Sequence, residues 1–340
     1  MPVPEENSLP APIPVTILSG FLGAGKTTLL RYLLQAEHGL KIAVIENEFA
    51  ETSIDSRLLG EQPVKVMTLA NGCVCCSVRS ELELALFTLL EQRDKGDIAF
   101  DRLVIECTGL ADPAPVAQTF FVDETLRERY ILDGILTLVD AAHAPFQLDM
   151  AIAQAQVGFA DRILVSKTDL VDKEHYQNLC QRLQHINRRA SILPVEQGRI
   201  DLNELLEIRG FNLNDDLADS LQPVSSPFIS LRPVSTAPRK EDRIASLVLR
   251  TNLPLNLERL SQFMEALLDE FGNALLRYKG VLNLENETRR MVFQGVLRLY
   301  GFDWDREWHA DEPRESIVVL IGDSLPEERL RQTFLEMAGQ

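Results

Sequence analysis

The residues most able to do chemistry stand together near the start of the chain, in the sequence GFLGAGKT at positions 20–27. This sequence matches GxxxxGKT, in which glycines let successive backbone N–H groups point at a phosphate and the following helix adds the positive end of its dipole. Lys26 can reach the β- and γ-phosphates, and the Thr27 hydroxyl can bind Mg²⁺. The residues predicted to contact a nucleotide here are Gly20, Gly23, Ala24, Gly25, Lys26, Thr27 and Thr28.

A second Mg²⁺ ligand is predicted near the end of the apolar run RLVIEC, residues 102–107, which contains the carboxylate of Glu106. Glu106 stands at the end of a predicted buried strand, the position from which the second Mg²⁺ carboxylate usually comes. Gly109, three residues later, can present its backbone N–H to the γ-phosphate. Lys26, Thr27 and Glu106 are therefore the candidate catalytic residues, with Thr27 and Glu106 as the candidate Mg²⁺ ligands.

The choice of base is predicted from SKTD, residues 166–169, after another apolar run. Asp169 can accept hydrogen bonds from N1–H and the 2-amino group of guanine, which adenine cannot donate, so a site built on this carboxylate rejects adenine. The stem of Lys167 can lie along the base. The usual guanine motif is NKxD, and Ser166 stands here in place of asparagine. The nucleotide is therefore predicted to be GTP or GDP.

Three cysteines crowd into four positions, NGCVCC, directly before a predicted helix. Thiolates at a helix N-terminus have a lowered pKa and bind soft or borderline metals. Zn²⁺ requires four ligands, so the cluster is incomplete alone, and the acidic run IENEFAE offers Glu46, Glu48 and Glu51. Inert buried cysteines and a redox pair remain open as alternatives. The candidate transition-metal ligands are Cys73, Cys75, Cys76, Glu46 and Glu51, and Glu46 or Glu48 is the candidate base for the attacking water.

The elements that position these residues follow a strand–helix alternation. Six apolar runs rich in β-branched residues, without polar alternation, predict strands buried on both faces of a parallel sheet. Helix-like segments separate them, which implies a three-layer α/β domain. The runs are residues 15–20, 41–46, 102–107, 134–140, 162–167 and 192–196. We therefore predict a Pro-rich leader over 1–14, a P-loop GTPase domain over 15–208 and a connecting segment over 209–243.

Residues 244–340 are predicted to form a smaller α+β domain. The expected order is βαβββα, a small antiparallel sheet with helices on one face, with RMVFQGVLRLYG (290–301) read as a single strand.

Composition excludes several function classes. Lys plus Arg is 34 and Asp plus Glu is 51, a net charge of −17, which disfavours binding to nucleic acid or to an anionic membrane surface. The chain lacks an apolar run long enough to span a bilayer. An odd count of five cysteines suits metal or redox thiols in a reducing compartment rather than disulfides, so a cytoplasmic location is predicted.

The segments GFLGAGKTTLL, IENEFAE, NGCVCC, ECTGLADP and SKTD occur in the order that is typical of the CobW-like family of P-loop GTPases, which this chain resembles from about residue 14 to its C-terminus. The resemblance implies GTP hydrolysis coupled to handling of a transition metal, Zn²⁺ or else Co²⁺ or Ni²⁺, for delivery to a client metalloprotein. It also implies that Cys75, Cys76 and Cys73 bind the metal, with Glu46 and Glu51 nearby. Ala50 stands where the family's ENEFG motif has glycine.

Three functions are therefore compared. The first is a slow GTPase metallochaperone, in which hydrolysis reshapes the metal-binding segments because they lie between the phosphate loop and Glu106. The second is a metal carrier or buffer in which the nucleotide is only structural. A small-molecule kinase is the third, and both SKTD and the cysteines argue against it. A second protomer or the client could complete the metal site.

Overall fold

The structure is a computed structural model, and it describes residues 11–46, 65–68, 77–208, 210–211 and 242–339. Within these residues the first unit is built on a parallel sheet of seven strands in the order β3-β2-β4-β1-β5-β6-β7. Strands β1 to β7 are Ile13–Gly20, Ile42–Glu46, Lys65–Thr68, Arg102–Glu106, Tyr130–Asp140, Arg162–Ser166 and Ser191–Val195. The predicted parallel α/β architecture is therefore confirmed.

Helices cover both faces of this sheet. The helices α1 to α7 are Lys26–Gln35, Ser77–Asp94, Pro113–Val122, Glu124–Arg129, Ala144–Gln147, Ala151–Phe159 and Lys173–Ile186. Helix α1 packs on one face through leucines that join side chains of β1, β2 and β4, while α2, α3, α6 and α7 pack on the other. Central strands are therefore buried on both faces, which explains their continuous apolar runs.

The described strands depart from the predicted ones at two places. Strand β3 was not predicted, because its four residues KVMT carry too short an apolar run, and it pairs with β2 at the sheet edge. Strand β1 begins at Ile13, so the predicted leader over 1–14 overlaps the sheet by two residues. Pro14 is tolerated inside β1, where the register with β5 also shifts between Val15 and Thr16.

The second unit spans residues 242–339 and contains an antiparallel sheet of five strands in the order β11-β10-β9-β12-β8. Its elements in chain order are β8 (Ile244–Thr251), α8 (Leu257–Phe271), β9 (Leu275–Leu282), β10 (Arg289–Val296), β11 (Leu299–Glu307), β12 (Ser316–Asp323) and α9 (Glu327–Gly339). Helices α8 and α9 pack on one face of the sheet, as predicted.

The predicted order βαβββα is one strand short. RMVFQGVLRLYG was read as one strand, but β10 ends at Val296 and β11 starts at Leu299, and the two pair as an antiparallel hairpin. The turn contains Leu297 at φ 52°, a left-handed conformation usually taken by glycine or asparagine. Because Leu297 is apolar, the sequence pattern continued through the turn and did not indicate it.

The second sheet places its other face against α6 and α7 of the first unit. Asp161 is buried at this junction, and its carboxylate pairs with Arg277 at 2.8 Å and Arg189 at 3.0 Å. Burial raises the pKa of Asp161, but the two arginines outweigh burial and leave the pKa below its ordinary value. Of the predicted connecting segment, residues 209 and 212–241 lie outside the described residues, while Gly210 donates from its N–H to the Asp133 carbonyl.

In the part of the chain that the structure describes, no helix combines the length and apolar character that crossing a membrane requires.

Candidate functional site: the carboxyl edge of the parallel sheet

The predicted site residues gather where parallel strands of the first sheet end. Strand β1 ends at Gly20, β2 at Glu46, β4 at Glu106, and β6 at Ser166. Because these strands are parallel, their carboxyl ends share one edge of the sheet, which is where open α/β folds bind ligands. Residues distant in sequence thus face one cleft because of strand order.

The phosphate loop connects β1 to α1. Gly20, Gly23 and Gly25 have φ values of 135°, 76° and 101°, all in the region that favours glycine. A Cβ atom at Gly20 would lie 2.4 Å from the Leu138 carbonyl oxygen of the neighbouring strand, so this position also needs glycine for space. Ala24 is buried, while Thr27 and Thr28 are exposed in the first turn of α1. The loop therefore has the conformation required for backbone N–H groups to surround a phosphate.

Lys26 folds back over this loop. Its Nζ donates to the carbonyl oxygens of Gly20 at 2.8 Å and Phe21 at 3.3 Å. Burial lowers the pKa of Lys26, and the neighbouring carboxylate of Glu106 partly opposes that shift. A bound triphosphate adds negative charge at the same place, which favours the protonated amine further.

A hydroxyl and a carboxylate meet beside the phosphate loop. Thr27 Oγ1 donates to Glu106 Oε1 at 3.1 Å, although the two residues are 79 positions apart in the chain. Oxygen donors of this kind, a threonine hydroxyl and an acidic side chain, are what Mg²⁺ takes in nucleotide sites. The pair therefore fits the magnesium role predicted for Thr27 and Glu106.

Glu46 lies next to this pair on the neighbouring strand. It is buried, 3% exposed, and it pairs in register with Glu106 in the β2–β4 ladder, so the two side chains stand on the same face of the sheet. Among the described residues no group of three or more His, Cys, Asp or Glu side chains could hold a metal ion. The other predicted transition-metal ligands lie outside the described residues: Cys73, Cys75, Cys76 and Glu51.

Gly109 lies in the loop between β4 and α3, against the phosphate loop. A Cβ atom at Gly109 would lie 2.6 Å from the backbone nitrogen of Leu22, so only glycine allows this approach. Asp112 ends the loop by accepting a hydrogen bond from the Ala114 N–H at 2.9 Å, which caps α3. The loop that carries Gly109 is thus closely packed on the phosphate loop.

The guanine motif follows β6. Ser166 donates from Oγ to the Ala24 carbonyl at 2.7 Å, which ties the motif to the phosphate loop. This bond explains what serine does at the position where the usual motif has asparagine. Lys167 takes a left-handed conformation at φ 55°, and it starts the short 3-10 helix Thr168–Leu170 in which Asp169 is exposed.

Asp140, at the end of β5, is a site residue that the sequence reasoning missed. Its carboxylate accepts from Lys167 Nζ at 2.7 Å and from His143 Nδ1 at 2.8 Å. Burial raises the pKa of Asp140, but the hydrogen bonds from Lys167 and His143 more than offset this and keep the pKa below its usual value. An acidic residue closing the buried run GILTLVD is the same signal that identified Glu106, and it could have found Asp140.

Two family models together cover most of the chain. The model described as the CobW/HypB/UreG nucleotide-binding domain matches residues 14–194. The model described as the cobalamin synthesis protein cobW C-terminal domain matches residues 244–338. Both matches agree with the two units of the fold.

Named relatives extend the likeness over the full length. The zinc chaperone YjiA of Escherichia coli (strain K12) is 50% identical over 330 residues, which are 95% of this chain and 98% of that protein. The zinc-regulated GTPase metalloprotein activator 1 of Dictyostelium discoideum is 32% identical over 86% of this chain and 63% of that protein. The crystal structure of Zn(II)-bound YjiA GTPase from E. coli matches with a TM-score of 0.79 and 45% identity, covering 96% of this chain and 99% of that one.

Proposed function

Because the chain belongs to the family of CobW, HypB and UreG nucleotide-binding proteins, we propose that it is a GTPase metallochaperone. It hydrolyses GTP to GDP and phosphate and uses the cycle to bind and deliver a transition metal, zinc before cobalt or nickel. The observation that carries the proposal is that Lys26, the Thr27–Glu106 pair and the guanine motif share one sheet edge, with Thr27 Oγ1 and Glu106 Oε1 3.1 Å apart.

Each group has a definite task. The loop N–H groups and Lys26 bind the β- and γ-phosphates, and the fixed positive charge of Lys26 opposes the negative charge of the transition state. Thr27 and Glu106 would hold Mg²⁺, which supplies charge neutralisation to the phosphate oxygens. Asp169 accepts the guanine donors, and Lys167 flanks the base, held there by Asp140.

Turnover by the chain alone is expected to be slow. Fast GTPases bring an additional cation, often an arginine from a partner, to the charge that develops during phosphoryl transfer. Glu46 is the described candidate for activating water, since it stands in register beside Glu106, and it can take this role only while it does not bind the transition metal.

We propose Cys73, Cys75, Cys76, Glu46 and Glu51 as the transition-metal ligands. The chain that bears the cysteines leaves β3 after Thr68, which pairs in register with Glu46, and re-enters the described residues at the start of α2. Cys73 follows Thr68 by five residues, so chain length alone keeps their Cα atoms within about 18 Å. Thiolate and carboxylate donors suit Zn²⁺, and the segment leaves β3 two strands away from β4, the strand that ends at Glu106.

The partner is a client metalloprotein that receives the ion, and we place the exchange in the cytoplasm, where thiols stay reduced. If neither Glu46 nor Glu51 binds the ion, a ligand from that client, or from a second copy of this chain, completes the coordination sphere that three thiolates leave open.

The nucleotide site is tested with Lys26→Ala. We expect this variant to lose GTP hydrolysis in a phosphate-release assay, while Lys95→Ala, which removes an exposed lysine just after α2 that pairs with Glu91, keeps the wild-type rate. Normal hydrolysis by Lys26→Ala would contradict the assignment of the phosphate loop.

The metal cycle is tested by titrating Zn²⁺ and Co²⁺ into wild type and Cys75→Ala with bound GDP or a non-hydrolysable GTP analogue. A metallochaperone shows a metal affinity that depends on the nucleotide, and linkage requires the metal to change nucleotide affinity by the same factor. Equal affinity in both nucleotide states would instead identify a metal carrier or buffer with a structural nucleotide.

A further inference from the structure

A buried glutamine on α6 holds the loop that carries Gly109. Gln156 is 1% exposed, and its Nε2 donates to the carbonyl oxygens of Gly109 at 3.2 Å and Ala111 at 3.0 Å. Its backbone carbonyl accepts from the Thr137 hydroxyl of β5 at 2.9 Å. One residue thus connects the central sheet to the loop after Glu106.

The peptide groups on both sides of Gly109 are held in orientation. The Thr108 carbonyl accepts from the Ala111 N–H at 3.0 Å, and in a trans peptide the N–H points opposite to the carbonyl. The Gly109 N–H therefore turns away from Ala111. The Gly109 carbonyl, on the next peptide group, is held by Gln156.

The packing leaves this loop little room to adjust. At its start Cys107 N–H donates to the Leu18 carbonyl of β1 at 2.9 Å. In its middle, Gly109 sits so close to Leu22 of the phosphate loop that a Cβ atom would not fit. To these backbone and packing contacts Gln156 adds two side-chain hydrogen bonds, to the carbonyl oxygens of Gly109 and Ala111.

We propose that Gln156 is a positioning residue for the triphosphate state: it fixes the Gly109 peptide so that its N–H meets the γ-phosphate without rearrangement. A donor already in place costs no reorganisation when the ligand binds or reacts. GDP has no γ-phosphate, so the contribution of Gln156 is confined to GTP. This inference rests on the proposed role of Gly109 in the GTPase site.

Helix α6 also provides a matched control. Gln154 is likewise 1% exposed, but its amide has other partners: Oε1 accepts from the N–H groups of Arg243 at 2.9 Å and Ile244 at 3.1 Å in the second unit, and Nε2 donates to the Leu148 carbonyl at 2.8 Å. Residues two positions apart point to nearly opposite sides of a helix. Gln154→Leu therefore removes a buried amide of the same type, from the same helix, away from the Gly109 loop.

The experiment compares Gln156→Leu, Gln154→Leu and wild type, using the full chain. Displacement of a fluorescent nucleotide gives the Kd for GDP and for a non-hydrolysable GTP analogue, and single-turnover assays give the hydrolysis rate. In Gln156→Leu we expect the GTP analogue to bind about ten-fold more weakly, hydrolysis to slow, and the GDP Kd to stay within two-fold. In Gln154→Leu the ratio of the two Kd values stays at the wild-type value.

A purely structural role predicts a different pattern. If Gln156→Leu weakened the binding of GDP and of the GTP analogue by the same factor, or changed neither Kd, the positioning role would be overturned. The same conclusion would follow if Gln154→Leu changed the ratio of the two Kd values as much as Gln156→Leu does. Gln156→Met, which keeps side-chain length, replaces Gln156→Leu should the latter fail to fold. Wild-type hydrolysis that depends on Lys26, together with an unchanged Kd ratio, would refute only the Gln156 inference and leave the GTPase assignment in place.

Discussion

Replacing Arg277 with methionine is expected to lower the free energy of unfolding by about 3 kcal/mol, because it breaks an ion pair withdrawn from water. The side chains of Arg277 and Asp161 are 2% and 3% exposed, with 2.8 Å between nitrogen and oxygen. Asp161 retains Arg189 at 3.0 Å and the Ile135 N–H at 2.9 Å. The loss therefore lies at the low end of the ~3–5 kcal/mol typical of one broken buried pair.

Asp161→Asn is expected to cost more, about 5 kcal/mol, because Arg277 and Arg189 then both remain buried without their counter-charge. The control is Arg250→Ala, which breaks a pair with Glu315 whose side chains are 47% and 24% exposed. Water screens such a pair, and its loss costs at most about 1 kcal/mol.

Urea unfolding separates these values. The two tryptophans of the chain, Trp304 and Trp308, both belong to the second unit, so their fluorescence follows that unit while circular dichroism follows the whole chain. The expected order of destabilisation is Asp161→Asn, then Arg277→Met, then Arg250→Ala. An Asp161→Asn protein as stable as Arg250→Ala would refute the argument that this buried cluster joins the two units.

Three other changes test single contacts. Asp140→Asn removes the charge that pairs with Lys167. A hydrogen bond to a charged group contributes about 1 kcal/mol here, so we expect fluorescent-nucleotide titration to show roughly three- to ten-fold weaker binding of both GTP and GDP. Weaker binding of GTP alone would contradict this expectation. Gly109→Ala is expected to reduce GTP hydrolysis, because a Cβ atom would lie 2.6 Å from the backbone nitrogen of Leu22 in the phosphate loop and displace the Gly109 N–H from the γ-phosphate; an unchanged rate would count against it. Hydrogen bonds from Arg306 lower the pKa of Glu312 to about 2, so the stabilisation from this carboxylate is complete above its ordinary pKa of 4.5 and disappears as pH falls through about 2. In acid unfolding, the difference in stability between wild type and Glu312→Gln should shrink over that pH window. A constant difference would contradict a stabilising role for the ionised carboxylate.

Most strands of the first unit, and its phosphate loop, could be predicted from local sequence patterns. Runs such as 102–107 are apolar nearly throughout because both faces of a central parallel strand are buried, so they can be recognised without knowledge of their neighbours. The phosphate loop is equally local, since its glycines and Lys26 lie within eight positions. Strand β3 was missed because an edge strand of four residues has too little apolar sequence to be recognised.

The second unit and the finer parts of the site depend on contacts between distant residues. The β10–β11 turn uses Leu297 where a turn pattern calls for glycine, so the apolar run appeared continuous. Asp140 binds Lys167 across 27 positions, and Gln156 reaches Gly109 across 47. Nothing in the sequence around Gln156 distinguishes it from Gln154, because the difference lies only in which side of α6 each faces.

Strands β5 and β6 link the stability of the fold to the position of the guanine motif. At one end Ile135 N–H and Asp161 meet, beside the second unit, and at the other Asp140 pairs in register with Ser166. Between those ends the ladder runs without a register shift, and the five residue steps from Ile135 to Asp140 span roughly 16 Å. The backbone ladder sets the register of β5 against β6 by itself. The buried charges of Asp161, Arg277 and Arg189 therefore stabilise these strands but do not select the nucleotide base. On the proposed assignment, guanine selectivity depends on the carboxyl edge, and the strength of the junction between the units depends on the opposite edge of the same two strands.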